Sequence, residues 1–351
     1  MELKPKYVIS DILLANIKRI TEIIASLNTQ RFPGVVMAEF EHRAKELSAY
    51  SSTSIEGNPL PLTDVKRILK HRPANIRDSE REVLNYNKAL VELDASIKDG
   101  KRPFDLPLIL RIQKTVTDGL IETHRAGRLR TEPVFVNDPR ARQAVYLPPD
   151  HGDIPRLMDE LLGYVERSDG TVDPLIVAGI FHKQFVIIHP FVDGNGRTAR
   201  LSTKALLAKM GVDTFNLFSF ENYYNRNVTK YFQEVGGLGN YYDIREGIDF
   251  TPWLEYFTAG IIDELLRVGK ELERATEIPR AELRDYHRKI IAFAKKHGSI
   301  ADRDYAKLTD RARPTRHLDF RKLISLGIIE RTGNGRASRY VIRDSSALSR
   351  S

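Results

Sequence analysis

HPFVDGNGRTAR, the stretch from His189 to Arg200, organises the reading of the whole 351-residue chain. It follows the apolar run Phe185, Val186, Ile187, Ile188, and it precedes Leu201, Ala205, Leu206 and Met210, which recur at helical spacing. Gly194 and Gly196 carry no Cβ, so the backbone can take positive φ and come close to a ligand. The N–H groups of Gly194, Asn195 and Gly196 can then converge on phosphate oxygens. With a helix running on from Arg197, this nest sits at a helix N-terminus, where unpaired N–H groups and the helix dipole favour anions. Arg197 and Arg200, three apart, are placed to fork further oxygens, so a triphosphate fits better than a monophosphate. Asp193 would repel phosphate directly, and a bridging Mg²⁺ explains its place. His189 can accept a proton near neutral pH, and Phe191 reads as an apolar anchor for the loop. No GK[ST] follows, which excludes a P-loop NTPase.

The motif resembles the signature H-x-F-x-[DE]-G-N-G-R-x-x-R of Fic-domain nucleotidyltransferases at every specified position. The resemblance implies an enzyme that uses ATP and Mg²⁺ to transfer AMP to a hydroxyl of a target protein, or of itself, releasing pyrophosphate. It implies that His189 is the general base toward the Ser, Thr or Tyr hydroxyl. Asp193 would hold Mg²⁺ against the α- and β-phosphates cradled by Gly194, Asn195 and Gly196. Arg197 and Arg200 would take the remaining phosphates, Arg200 the γ. Glycine at 196, where the Doc-like kinase branch carries lysine, argues against phosphorylation of the target.

Upstream, SSTSIEGNPL places Ser52, Glu56 and Gly57 in the pattern [ST]-x-x-x-E-[GN]. A glutamate delivered beside Arg200 would pair with it and occupy the space of the γ-phosphate, leaving ATP only a non-productive pose. Val36, Phe40, Ala44 and Leu47 predict an amphipathic helix running into Ser52, and Gly57-Asn58-Pro59 a helix stop. The pattern is similar to the inhibitory motif of Fic proteins whose inhibitory helix precedes the catalytic motif in the same chain.

Gly127 to Arg130 is followed by the β-prone runs Pro133–Val136 and Ala144–Leu147 around a polar turn, which predicts a hairpin over 133–147. The family resemblance implies a flap over the active site, along which a target protein pairs as an added strand. NRNVTKYFQEV is similar to the family's N-x-x-x-Y-Y segment, which implies adenosine contacts from Asn227 and Tyr231.

Elsewhere, Ile9, Ile12, Leu13, Ile17 and Ile20 near the start, and Leu254, Phe257, Ile261 and Leu265 after Pro252-Trp253, keep helical spacing. Zero cysteines exclude disulfides and thiolate metal sites and fit a reducing compartment. No run approaches the roughly 20 apolar residues of a membrane span, and the opening MELKPKYVISDIL lacks the basic-then-apolar run of a signal peptide. A cytoplasmic protein is expected.

From Arg284 to Arg343 there are sixteen Lys or Arg against six Asp or Glu, a net of +10 where the whole chain carries +8. This basic region predicts a helix over Ile290, Ile291, Phe293 and Ala294, a short apolar Ser299-Ile300, and a helix around Tyr305 to Leu308. A further helix is predicted from Pro314 to Leu326 that buries Leu318, Leu323 and Ile324. Ile328–Thr332 and Ser338–Ile342 then flank Gly333-Asn334-Gly335 as a hairpin. The pattern resembles a winged helix-turn-helix. Its partner would be nucleic acid, through Arg311, Arg313, Arg316 and Arg321, or another protein.

The expected fold is all-α, a Fic-type helical domain with a β-hairpin flap plus the small winged-helix domain. Its expected segments are 1–110 with the inhibitory helix, a catalytic core at 111–275, a linker at 276–283, the winged helix at 284–343 and a tail at 344–351. The resemblance also implies a homodimer. Two other readings remain: a DNA-binding regulator whose Fic fold senses a ligand, and a Fic transferase with another nucleotide donor such as UTP.

Overall fold

A computed structural model describes residues 2–30, 32, 34–98, 103–138, 143–212, 219–282, 284–325, 328–333 and 338–342. The chain is mostly helical. Helices α1 (Asp11–Thr29), α2 (Gly34–Ile55), α3 (Leu62–Lys70), α4 (Asp78–Lys98) and α5 (Leu106–Val116) precede strands β1 (Val136–Asp138) and β2 (Gln143–Leu147). Then come α6 (Ile154–Ser168), α7 (Pro174–Ile188), α8 (Asn195–Lys209), α9 (Phe220–Arg226), α10 (Val228–Val235), strand β3 (Gly239–Asn240), α11 (Tyr241–Ile244) and the long α12 (Thr251–Glu282). The chain ends with α13 (Asp285–His297), α14 (Asp302–Tyr305), α15 (Arg313–Ser325) and strands β4 (Ile329–Thr332) and β5 (Arg339–Ile342).

Contacts divide the chain into two compact units, Met1–Ala25 with Arg43–Leu266, and Ser26–His42 with Arg267–Ser351. The segment 276–283, expected as a linker, falls at the end of α12 as far as Glu282.

In the larger unit α7 is apolar almost all round, and Leu175, Ile176, Val177, Ile180, Phe181 and Phe185 are all buried. A helix without a polar face must be enclosed by others. Its start is set by Asp173, whose carboxylate accepts from the Leu175 N–H, with Pro174 in the first turn. Around it and α8 lies a core of Val83, Tyr86, Leu90, Ile112, Val116 and Leu201, joined by Ala49 of α2. That core fixes α2, α4, α5 and α8 against one another, and the candidate site stands at their ends.

In the larger unit α1 and the hairpin sheet depart from sequence expectation. In α1 Leu13 and Ile20 are buried, whereas Ile9 precedes the helix and Ile12 faces outward, because one helix stripe cannot bury every apolar residue. The hairpin pairs Val136 with Tyr146 and Asn137 with Ala144, its tip at 139–142 lying outside the described residues. It is also not alone, because β2 pairs in parallel with β3 through Tyr146–Gly239 and Leu147–Asn240. Two-residue strands leave no periodic signal to read.

The C-terminal unit has its own core of Ile290, Ala294, Ile300, Tyr305, Phe320, Leu323, Ile329 and Tyr340. Strands β4 and β5 are antiparallel from Ile329–Ile342 to Thr332–Arg339, and Ile300 bridges to Tyr340 as a third short segment. The turn at Asn334 and Gly335 lies outside the described residues. Helix α14 lies one turn earlier than expected. In α15 the buried face is Asp319, Phe320 and Leu323, while Leu318 is 60% exposed and Ile324 38%. Phe320 stacks on Tyr340 at 4.0 Å, and that aromatic contact sets which side of α15 faces inward.

Candidate active site

Helix α7 ends at His189, which has φ 51° and ψ 60°, the one positive-φ residue other than glycine among those described. A left-handed histidine costs on the order of 1 kcal/mol and persists only where its surroundings impose it. The imposing groups are clear. Arg130, buried, donates from Nε to the His189 carbonyl at 2.8 Å, and its own N–H donates to the Pro190 carbonyl. Tyr146 of β2 donates to the Ile187 carbonyl at 2.9 Å, tying the hairpin to the same helix end. The His189 Nδ1 lies 3.3 Å from the Val186 carbonyl. A carbonyl only accepts, so the proton is on Nδ1 and Nε2 keeps a free lone pair. Burial pushes the imidazole pKa down to about 4, with the Val186 carbonyl opposing that shift, and the ring is neutral at pH 7.

The turn that follows is closed by its own side chains. Asn195 accepts from the Phe191 N–H at 2.9 Å and donates to the Phe191 carbonyl at 2.8 Å, so its amide staples the loop and only its backbone N–H is left for a ligand. Phe191 is fully buried, as an anchor should be. Gly194 alone takes positive φ, 77°; Gly196 already lies in α8. Gly196 is small for another reason: a Cβ there would stand 2.2 Å from Glu56 Oε1.

Arg200 is completely buried, and each of its three nitrogens donates to a named group. Nη2 donates to Glu56 Oε1 at 2.7 Å and to the Ser52 carbonyl at 2.8 Å, and Nε donates to Ser52 Oγ at 2.7 Å. Burial opposes the guanidinium charge, but Glu56, with Tyr231 and Tyr86 behind it, raises the pKa above its ordinary value. Ser52 and Glu56, far from the motif in sequence, are thus brought onto its last arginine. One turn back along α2 and one turn on along α8 the pairing repeats: Lys204 donates to Ser48 Oγ at 2.8 Å and pairs with buried Glu221 at 3.1 Å. Tyr86 and Ser219 satisfy the Glu221 oxygens.

Behind Arg200 runs a chain of hydrogen bonds that the sequence reading did not include. Thr203 Oγ1 donates to the Ala199 carbonyl, so His182 Nδ1–H must donate to Thr203, and His182 Nε2 must accept from the Tyr231 hydroxyl at 3.1 Å. Tyr231 in turn accepts from Arg200 Nη1 at 3.4 Å. The order works only with a neutral His182, whose pKa burial pushes down to about 3. Tyr231, expected at the adenosine, is 1% exposed, and its hydroxyl meets Arg200. Asn227 caps α10 by accepting from the Lys230 N–H.

Asp193 is half-exposed; it accepts from the Gly194 N–H and from Arg197 Nη2 at 3.1 Å. Arg197 is otherwise buried, with Nη1 2.8 Å from Glu82 Oε1 of α4, a residue sequence reading did not find. Neither Nε nor Nη1 makes a hydrogen bond to a described group, so the contact with Glu82 is an ion pair without hydrogen-bond alignment. In the C-terminal unit Arg311 forks Asp319 and lies 3.8 Å from the Tyr286 ring, and Arg316 forks Asp302. Of the four arginines expected to face a partner, Arg313 and Arg321 are the exposed ones.

Residues 103–207 match the Fic/DOC family. The chain is 30% identical over 220 residues to the protein adenylyltransferase Fic of Drosophila melanogaster, a match covering 56% of this chain and 42% of that protein. The chain therefore spans less than half the length of that relative. In fold it is similar to a Fic family protein from Desulfovibrio desulfuricans, with a TM-score of 0.63 and 23% identity over 97% of this chain and 98% of the other. It is similar also to Fic-1 from C. elegans, with a TM-score of 0.59 and 21% identity over 76% and 74% of the two chains.

Proposed function

Starting from a chain that carries a Fic/DOC-family domain, we propose that this protein is an adenylyltransferase that moves AMP from ATP to a Ser, Thr or Tyr hydroxyl of a protein and rests in a state locked by Glu56. The target oxygen bonds to the α-phosphorus while the bond to the bridging β-phosphate oxygen breaks. The hydroxyl proton passes to His189 Nε2, and pyrophosphate leaves. The observation that carries this reading is the position of a neutral His189 with a free Nε2 at the mouth of a nest whose last arginine is already occupied by a carboxylate.

The N–H groups of Gly194, Asn195 and Gly196 would receive the α- and β-phosphates. Arg200 would take the γ-phosphate once Glu56 withdraws, and Tyr231 would act by holding Arg200 from behind. An adenosine contact from Asn227 belongs to the same proposal. Among the described residues no cluster of three or more His, Cys, Asp or Glu could hold a metal unaided. One half-exposed carboxylate beside a phosphate nest does fit Mg²⁺, which keeps few protein ligands and completes its shell with phosphate and water. Bound there with ATP, it would neutralise phosphate charge, and Asp193 would hold it.

A target segment would add to the sheet at β1, because β2 has β3 on its other side. We propose the C-terminal unit as a winged-helix docking module: duplex-DNA binding that weakens steeply with salt would assign it to nucleic acid, and none at low salt to protein. Among the described residues no helix is long and apolar enough to cross a membrane. A cytoplasmic location and a homodimer remain part of the proposal.

The test is incubation with labelled ATP, alone and with cell lysate, comparing the wild type with Glu56→Gly. Label should enter protein, and faster with the variant. Label that never enters protein with either form sinks the adenylyl-transfer reading.

A further inference from the structure

Asn58 lies two residues beyond Glu56, within the helix stop, and all of its side-chain polar groups are used. Its Nδ2 donates to the Ser79 carbonyl at 2.8 Å and to Glu82 Oε2 at 2.7 Å, both on α4, and its Oδ1 accepts from the Leu60 N–H. The turn that presents Glu56 is thereby pinned to α4. The other oxygen of the same Glu82 carboxylate stands 2.8 Å from Arg197 Nη1. Glu82 is largely buried: burial raises its pKa, and Arg197 and Asn58 pull against that rise. Glu56 and Asp193 add to the rise, so the carboxylate stays above its ordinary pKa and Arg197 and Asn58 are the two groups that favour its charge.

The charges in the site are unequal. Two buried guanidinium groups, Arg197 and Arg200, face three carboxylates, Asp193, Glu56 and Glu82. Removing Glu56 alone frees Arg200 and leaves Arg197 matched twice over. An incoming nucleotide would compete with Glu82 for Arg197 as it competes with Glu56 for Arg200, and the two carboxylates are joined through Asn58.

We propose that Asn58 and Glu82 form a clamp that positions the inhibitory turn and at the same time occupies Arg197, so that nucleotide phosphates displace two linked carboxylates. This rests on the adenylyltransferase reading above. Asn58 is a positioning residue acting through Glu56, and Glu82 is a competitor for a phosphate-facing arginine. Their removal has separable effects. Asn58→Ala cuts the pin and leaves the Glu82–Arg197 pair. Glu82→Gln keeps an acceptor for Asn58 and removes the charge at Arg197.

The experiment measures Kd for Mg-ATP and Mg-ADP by calorimetry, with self-labelling from ATP, for the wild type, Asn58→Ala, Glu82→Gln, Glu56→Gly and Glu56→Gly/Asn58→Ala. A lost hydrogen bond to a buried carboxylate should appear as a change on the order of tenfold. Asn58→Ala should raise the ATP-over-ADP preference and self-labelling by that factor, and it should add nothing to Glu56→Gly, where no latch is left to position. Glu82→Gln should tighten ATP and ADP alike, because Arg197 lies away from the γ-phosphate position. A merely structural role predicts weaker binding in both single variants. Asn58→Ala at wild-type values while Glu56→Gly is activated overturns the clamp and leaves the transferase standing. Unchanged or weaker nucleotide binding by Glu82→Gln overturns the competition for Arg197. A Glu56→Gly protein with no gain in either readout removes the autoinhibited transferase and this proposal together.

Discussion

Exchanging Glu56 for Gln changes one charge and little else, and the surroundings of Arg200 set the size of the effect. The guanidinium is fully buried and the Glu56 side chain is 29% exposed, with 2.7 Å between Nη2 and Oε1. Hydrogen bonds to charged groups contribute about 1.5–3 kcal/mol and neutral ones about 0.5–1.5; with Arg200 fully buried and Glu56 only part-exposed, this bond lies inside the charged range, at about 2.4 against about 1 for its neutral replacement. The difference is ~1.4 kcal/mol, or about tenfold in an equilibrium constant. That energy should surface twice. Without nucleotide it is lost from the folded state, a fall in Tm of roughly 3–6 °C for a domain of this size. With nucleotide it returns as affinity, because the γ-phosphate no longer has to displace a charge of its own sign. Binding of ATP should therefore strengthen about tenfold relative to ADP, whose phosphates stop short of Arg200. Differential scanning fluorimetry and calorimetry with both nucleotides measure the two halves. A variant that melts lower but keeps the wild-type ATP-to-ADP ratio would show Glu56 to be a structural ion pair. Unchanged melting and an unchanged ratio would leave only a steric plug.

His189→Asn, which tolerates the left-handed backbone, should keep Mg-ATP affinity within about twofold and abolish transfer; intact-mass analysis showing near wild-type labelling would remove His189 as the base. Gly196→Ala would put a Cβ 2.2 Å from Glu56 Oε1. It should lower Tm more in the wild type than in Glu56→Gly, where only Arg200 Nη1 at 3.0 Å still crowds the added methyl, and an equal loss in both would mean that Glu56 is not what the glycine accommodates. His182, with its pKa about 3 in the fold against an ordinary 6.5, adds stability that is complete above pH 6.5 and lost as pH falls toward 3. Unfolding free energies from urea titrations between pH 6.5 and 4.5 should decline by an amount approaching about 1.4 kcal/mol per pH unit from this group. A pH slope in His182→Asn as steep as the wild type's would refute the assignment.

Much of the site was legible because its chemistry is local. His189, Asp193, Gly194, Arg197 and Arg200 lie within twelve residues, so their types and spacing already placed an imidazole, a carboxylate, a nest and two guanidinium groups together. Ser52 and Glu56 were legible for a related reason: a helix pattern ending at Gly57-Asn58-Pro59 offers a carboxylate at a defined helix end. The basic C-terminal unit could be read from charge and period, though not its inward face, since Leu318 and Phe320 are both acceptable cores until Tyr340 stacks on one of them.

What only the tertiary structure decided is who meets whom across long stretches of chain. Nothing near Glu82 in sequence points to Arg197, and nothing near His182 points to Tyr231, because a helical residue's partner depends on which turn of which neighbour packs against it. Tyr231 carries the lesson in one residue. Its sequence context carries no sign of Arg200, and packing placed its hydroxyl on that guanidinium. Periodicity along one chain specifies the face a residue shares. The identity of the facing group, and hence its charge and proton state, follows from the packing of α2, α4 and α8 about a common core.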